Sequence, residues 1–322
     1  MGLIKKSSEL SFPRTMQVMI YGQAGMGKTT LALSMPTPLL LDFDGGAKRV
    51  DVQDMANVDT VQVTEWAEIK QLLEKEVHEL QPYQTIVVDT VGKMVDYIIS
   101  YKCGTRQPSI RDWSGINAEF SWFTKVLNTI GKHVVFVAHR DTRKNGDDTV
   151  FVPTLREKNY NAIVTDLDLL GYMEVKKTNG NEVRTITFDS TSVNDGKNTC
   201  GLPGVITIPN FNIWDKDQQK FVRDGRIPND FMEKNILAPF NQRILEREQL
   251  NAEFSELIKK IRTDIESVKD GDGLMNFVKN IDSYKHVGSS RVQAGVMLNA
   301  RAKELGFHYD SKKKAYVADE KK

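Results

Sequence analysis

Residues 16–35 read MQVMIYGQAGMGKTTLALSM. The stretch opens on an apolar run, Met16 to Tyr21, and closes on a helical pattern, Thr30 to Met35. Between them, Gly22-Gln23-Ala24-Gly25-Met26-Gly27-Lys28-Thr29 fits the spacing G-x-x-x-x-G-K-[ST]. Glycines let the backbone curl so that successive N–H groups converge on phosphate oxygens. The start of the following helix adds partial positive charge. Lys28 is expected to reach the β and γ phosphates and Thr29 to offer its hydroxyl to Mg2+, with Gly22 to Thr30 as the cradle.

Such a site needs a second apolar strand ending in a carboxylate. Thr85-Ile86-Val87-Val88-Asp89 supplies it, with Asp89 placed to hold Mg2+ directly or through water. ATP and Mg2+ are the cofactors these two motifs imply. Leu39 to Phe43 forms another strand, and Asp44 after it is placed to orient a water attacking the γ-phosphate. His133 to Ala138 is a further β-branched run, and His139 at its end is placed to hydrogen-bond the γ-phosphate.

The intervening segments are helix-length. Trp66, Ile69, Leu73, Val77 and Leu80 recur at three- and four-residue steps, as do Phe120, Phe123, Leu127 and Ile130. Strands alternating with helices predict an α/β core with a mostly parallel sheet covered on both faces. From Leu167 the pattern changes. Leu167 to Val175 and Val183 to Phe188 flank Asn179-Gly180, a hairpin signal, and Val205 to Ile208 reads as a last short strand. The α/β region is expected to span residues 1–225. Residues 226–322 are expected to be helical, with a seam through Phe254, Leu257, Ile258, Ile261, Ile265 and Val268 that Asp270-Gly271-Asp272-Gly273 breaks.

Taken together, the motifs GQAGMGKTT (22–30), LLLDFDGG (39–46), TIVVDTVGKM (85–94), FVAHR (136–140) and GKNTCGLPG (196–204) resemble the RecA-like P-loop ATPases. The closer likeness is to short phage-type members that act as single-strand recombinase or annealing proteins. The resemblance implies an ATPase acting on single-stranded DNA as a homo-oligomeric ring or filament. It makes Asp44 the catalytic base and His139 the γ-phosphate sensor. Lys197-Asn198-Thr199-Cys200-Gly201 resembles an element whose cation acts on a neighbouring subunit's nucleotide, which makes Lys197 the candidate. Thr199 stands where that family carries arginine.

The expected DNA-facing segments are 140–158, with Arg140, Arg143, Lys144, Arg156 and Lys158, and 104–113, with Arg106, Arg111 and Trp113. Phe151 and Tyr160 are candidates for base stacking. Lys and Arg number 44 against 43 Asp and Glu, so any nucleic-acid contact must come from a local patch. Two cysteines, Cys103 and Cys200, exclude a disulfide scaffold. No apolar stretch nears the ~20 residues of a membrane span. The expected location is cytoplasmic, in the bacterial host if the chain is phage-encoded. Two other functions fit the same motifs: an ATP-gated interaction protein, a loader or packaging adaptor whose C-terminal helices dock a replication or recombination partner, and a small-molecule kinase. The kinase needs an arginine-bearing lid that the sequence does not display.

Overall fold

The computed structural model describes residues 12–146, 148–178 and 181–319. In chain order its elements begin with β1 (Gln17–Gly22), α1 (Lys28–Ala32), β2 (Pro38–Asp42), α2 (Val52–Met55), β3 (Asp59–Gln62) and α3 (Trp66–Glu74). There follow β4 (Thr85–Asp89), α4 (Val91–Cys103), α5 (Asp112–Thr129), β5 (His133–Asn145), β6 (Asp148–Pro153) and α6 (Glu157–Asp166). Then come β7 (Leu169–Thr178), β8 (Asn181–Thr187), β9 (Lys197–Asn198), β10 (Val205–Ile208), β11 (Asn212–Asp215) and β12 (Lys220–Arg223). The chain closes with α7 (Ala238–Glu266), α8 (Gly271–Asn280), α9 (Ser290–Glu304), β13 (Phe307–Asp310) and β14 (Ala315–Ala318).

One sheet organises residues 13–241, in the order β10-β8-β7-β1-β5-β4-β2-β3. Every pairing from β7 to β3 is parallel, and β7/β8 and β8/β10 are antiparallel. The α/β expectation holds, antiparallel end included. The Asn179-Gly180 turn lies outside the described residues. β2 and β4 are buried at every position, as strands with helices on both faces must be. β3 is the edge strand, and its sequence DTVQ is half exposed.

One face of the sheet takes Trp66 and Ile69 of α3, Met94 and Ile98 of α4, and Phe120 and Phe123 of α5 into a single apolar core. Trp66 is buried with its indole N–H donated to Glu119. α1 is held by a later segment: Asn229 donates to the Thr30 carbonyl, and the Ser34 hydroxyl accepts from the Met232 N–H.

Four expectations of extent are corrected. The 66–80 helix stops at Glu74, and Val77–Leu80 forms a separate 3-10 turn that buries Leu80. The 133–138 strand continues to Asn145, because β6 folds back and pairs Arg140 to Asn145 with 148–153. Val205–Ile208 is not the last strand, since β11 and β12 pair beyond it. The C-terminal region is not purely helical, since β13 and β14 form a hairpin after α9.

Residues 242–319 belong to a second compact unit. Ile261, Ile265 and Val268 of α7 and its exit join Leu274 and Phe277 of α8 and Ala294, Leu298 and Ala302 of α9 in its core. Asp270 caps α8 by accepting from the Gly273 N–H at 2.8 Å, which explains the break in the seam.

Candidate functional site

Strand register assembles the site. In the β1/β5 pair Gly22 stands opposite His139, in β4/β5 Asp89 opposite Val137, and in β2/β4 Asp42 opposite Asp89. The carboxyl ends of β1, β4 and β2 therefore lie side by side with residues 137–139 of β5, where ligands bind in open α/β sheets.

The loop after β1 is shaped by its glycines. Gly25 and Gly27 have φ of 79° and 83°, left-handed values that favour glycine. Gly22 answers a different demand: a Cβ there would sit 2.6 Å from the Met173 carbonyl oxygen of β7. Lys28 is buried and its ammonium donates to the Gln23 carbonyl at 2.8 Å. Burial lowers its pKa, and Asp89 and Asp44 act against that shift.

The Thr29 hydroxyl donates to the Asp89 carboxylate at 2.5 Å. Burial raises the Asp89 pKa to about 6, with the hydrogen bond from Thr29 opposing. The negative charges of Asp44 and Asp42 add to the rise. A hydroxyl and a carboxylate that already touch are the hard oxygen donors Mg2+ takes alongside phosphates and water. No group of three or more His, Cys, Asp or Glu suited to a metal occurs among the described residues.

Asp42 was not anticipated as a site builder. Its carboxylate accepts from the Gly46 N–H at 2.9 Å and the Ala47 N–H at 3.1 Å, folding the 43–47 turn back on the strand end. The signal in sequence was an aspartate closing a strand just before Gly45-Gly46. That turn presents Asp44. One Asp44 oxygen pairs with Arg49 at 2.9 Å, and the other is buried with no hydrogen-bond partner. That orphaned oxygen lies beside Gly46, and a buried carboxylate oxygen without a donor is uncommon enough to mark a functional position.

His139 faces the same cavity. Burial lowers its pKa, reinforced by the nearby Lys28 charge, so the ring is neutral at pH 7. The Thr154 N–H donates to its carbonyl at 2.7 Å, tying it to the return of the β5–β6 hairpin. Lys28, Thr29, Asp44, Asp89 and His139 all line one cavity of about 520 Å3, with Ala24, Gly25, Gly27 and Thr30 as its loop wall. A second cavity of about 420 Å3 shares Gly25, Gly27, Thr30 and Arg49 with it and adds Met26, Arg184, Phe211 and Phe221.

Lys197 is not part of this cluster. Its ammonium donates to the Val164 and Thr165 carbonyls at 2.8 and 2.9 Å, at the C-terminal end of α6. Its neighbour on β7 is Leu170, which pairs with Met19 near the start of β1, far along the strand from the loop at Gly22. Within its own chain Lys197 is engaged at the end of α6 and not at the nucleotide loop, and a cation that acts on a neighbouring subunit's nucleotide would also lie away from its own loop.

The stacking candidates are likewise committed elsewhere. Tyr160 is buried with its hydroxyl donated to Asp195, and Phe151 stacks on Tyr172 at 5.4 Å. Arg143 pairs with Asp195 at 2.7 Å. In 104–113, Arg106 forms a two-pronged pair with Asp112, and Trp113 lies under Arg156 at 3.2 Å.

The fold and loop together define an α/β P-loop domain. The sequence model of an AAA domain matches residues 14–200, and the chain belongs to that family. A curated relative, the SPbeta prophage-derived uncharacterized protein YorG of Bacillus subtilis (strain 168), is 29% identical over 141 residues. That match covers 40% of this chain and 42% of the relative, so the chain spans less than half of the relative's length. Among solved structures, the KaiC-like protein PH0186 of Pyrococcus horikoshii OT3 aligns with a TM-score of 0.37 at 12% identity, over 60% of this chain and 89% of its own. The flagellar accessory protein FlaH of Methanocaldococcus jannaschii aligns with a TM-score of 0.37 at 10% identity, over 63% of this chain and 93% of its own.

Proposed function

We propose that this protein binds and hydrolyses ATP with Mg2+ and couples the cycle to single-stranded DNA as a homo-oligomer. The observation carrying the ATPase reading is the convergence of Lys28, Thr29, Asp89, Asp44 and His139 on one cavity. Thr29 and Asp89 would hold Mg2+, which would supply positive charge to offset that of the phosphates. Lys28 leaves the Gln23 carbonyl for phosphate oxygens. Asp44 accepts a proton from the attacking water, and neutral His139 donates a ring N–H toward the γ-phosphate position. The second cavity, continuous with the first along the loop, takes the nucleoside end, with Phe211 and Phe221 offering aromatic surface.

The coupling to DNA is supported by strand continuity. β5 carries His139 at the nucleotide and runs on without interruption into the Arg140–Asn145 arm, where Lys144 is exposed. A displaced sensor therefore moves the arm. The prophage origin in the relative's name agrees with a role in phage DNA metabolism. A second reading, an ATP-gated interaction protein, is favoured by Trp214 and Phe221, which are 53% and 65% exposed on the β11–β12 hairpin.

The test is phosphate release from ATP and Mg2+ with and without single-stranded DNA. Lys28→Ala should abolish release, and DNA should stimulate the wild type. Unstimulated hydrolysis with no DNA binding selects the second reading.

A further inference from the structure

Arg49 has no role in the reading above, yet its position is built. It ends the 3-10 turn Ala47–Arg49, whose start Asp42 anchors through the Gly46 and Ala47 N–H groups. Its guanidinium meets Asp44 at 2.9 Å while its side chain stays 61% exposed. Gly46 makes room for the pair: a Cβ there would lie 2.5 Å from the Asp44 carboxylate and 3.0 Å from the guanidinium. Gly46 has φ of −74°, so close approach and not backbone conformation calls for glycine.

Two facts then matter. Among the described residues lining the phosphate cavity, Arg49 is the one arginine. It also lines the adjoining cavity, so it stands at the border between the two. An exposed carboxylate–guanidinium pair holds weakly, about 0–1 kcal/mol, and exchanges readily. A guanidinium offered a phosphate makes a two-pronged, charge-assisted contact that an ammonium cannot. Thr199 leaves the chain without an arginine at the element where the resemblance expects one, and Lys197 is spent on α6.

We propose that Arg49 is a phosphate-contacting residue acting within its own chain, and that it exchanges Asp44 for the triphosphate when nucleotide binds. The pair occupies one oxygen of Asp44. Transfer of the guanidinium to phosphate oxygens releases that oxygen for the attacking water, while the other stays buried beside Gly46. The same contact that holds the triphosphate thus exposes the proton acceptor. This inference rests on the cavity being a triphosphate site.

Equilibrium binding of fluorescent N-methylanthraniloyl ATP and ADP tests it, on wild type, Arg49→Ala, Arg49→Lys, Asp44→Asn and the Asp44→Asn/Arg49→Ala double variant. Arg49 is exposed, so its replacement leaves the core intact. Arg49→Ala should weaken ATP binding about tenfold, the scale of one charge-assisted contact, and ADP binding less. Arg49→Lys should fall between. Asp44→Asn should tighten ATP binding when Arg49 is present and not when it is absent. Wild-type ATP affinity in Arg49→Ala, with affinity lost in Lys28→Ala, overturns the inference and leaves the nucleotide site standing. Equal tightening by Asp44→Asn in both backgrounds overturns the exchange. A wild type that binds neither nucleotide overturns the reading beneath it.

Discussion

Asp89 carries a cost that function explains. Burial holds its carboxyl near pKa 6, so the folded chain keeps a proton that the unfolded chain, near 3.9, releases. Stability therefore falls as pH rises from about 4 through about 6 and is flat above. Asp89→Asn keeps an oxygen for Thr29 and removes the buried charge. It should raise the stability of the nucleotide-free protein by about 2 kcal/mol at pH 7.5, while abolishing Mg2+-dependent nucleotide binding. Denaturant melts of both proteins at pH 7.5 and pH 4.5 check this, and the gain should shrink at the lower pH. At this scale Gly27, Lys28, Thr29 and Asp89 were legible because their types and spacing are dictated by phosphate chemistry. Asp42 and Arg49 were not. Their roles depend on a turn whose closure, by Gly46 and Ala47 N–H groups, is tertiary geometry with no periodic signature.

Among elements, the short hairpin of β11 and β12 is fixed by a single buried pair. Arg223 and Asp54 are 4% and 2% exposed and meet at 3.0 Å, joining β12 to α2. The guanidinium also donates to the Asp224 and Ile227 carbonyls. Arg223→Ala leaves Asp54 buried without its partner and should cost about 3–5 kcal/mol. It should also weaken nucleoside discrimination, because this hairpin lines the adjoining cavity. Thermal melts together with competition by ATP, GTP and CTP measure both effects. Lys197→Ala should cost about 1 kcal/mol through α6, with nucleotide affinity unchanged. The central strands were readable because burial on both faces demands continuous apolar runs. The β5 extension and the late hairpins were not. Arg140 to Asn145 is a polar stretch whose strand character comes from its pairing partner, and Ile213-Trp214 and Phe221-Val222 are adjacent apolar pairs without the period-2 alternation that marks a strand.

For the whole molecule, near-neutral charge means that the proposed DNA affinity has to be local and modest. Arg143 is already shared with Asp195, so in the proposed coupling the exposed Lys144 is the arm's cation for the contact. The Arg143→Ala/Lys144→Ala variant should shallow the salt dependence of single-strand binding by about 0.7 per lost phosphate contact in log–log slope. Filter binding across a salt series reads it, and an unchanged slope removes the arm from the DNA surface. In the proposed cycle one cavity binds ATP and Asp44 activates water within it. Its most direct measurement is single-turnover hydrolysis of ATP by Asp44→Asn, with nucleotide binding titrated on the same preparation. The account predicts retained binding and a hydrolysis rate lowered about 10²-fold or more, the scale of a positioned proton acceptor. Hydrolysis at the wild-type rate by that bound variant would contradict it.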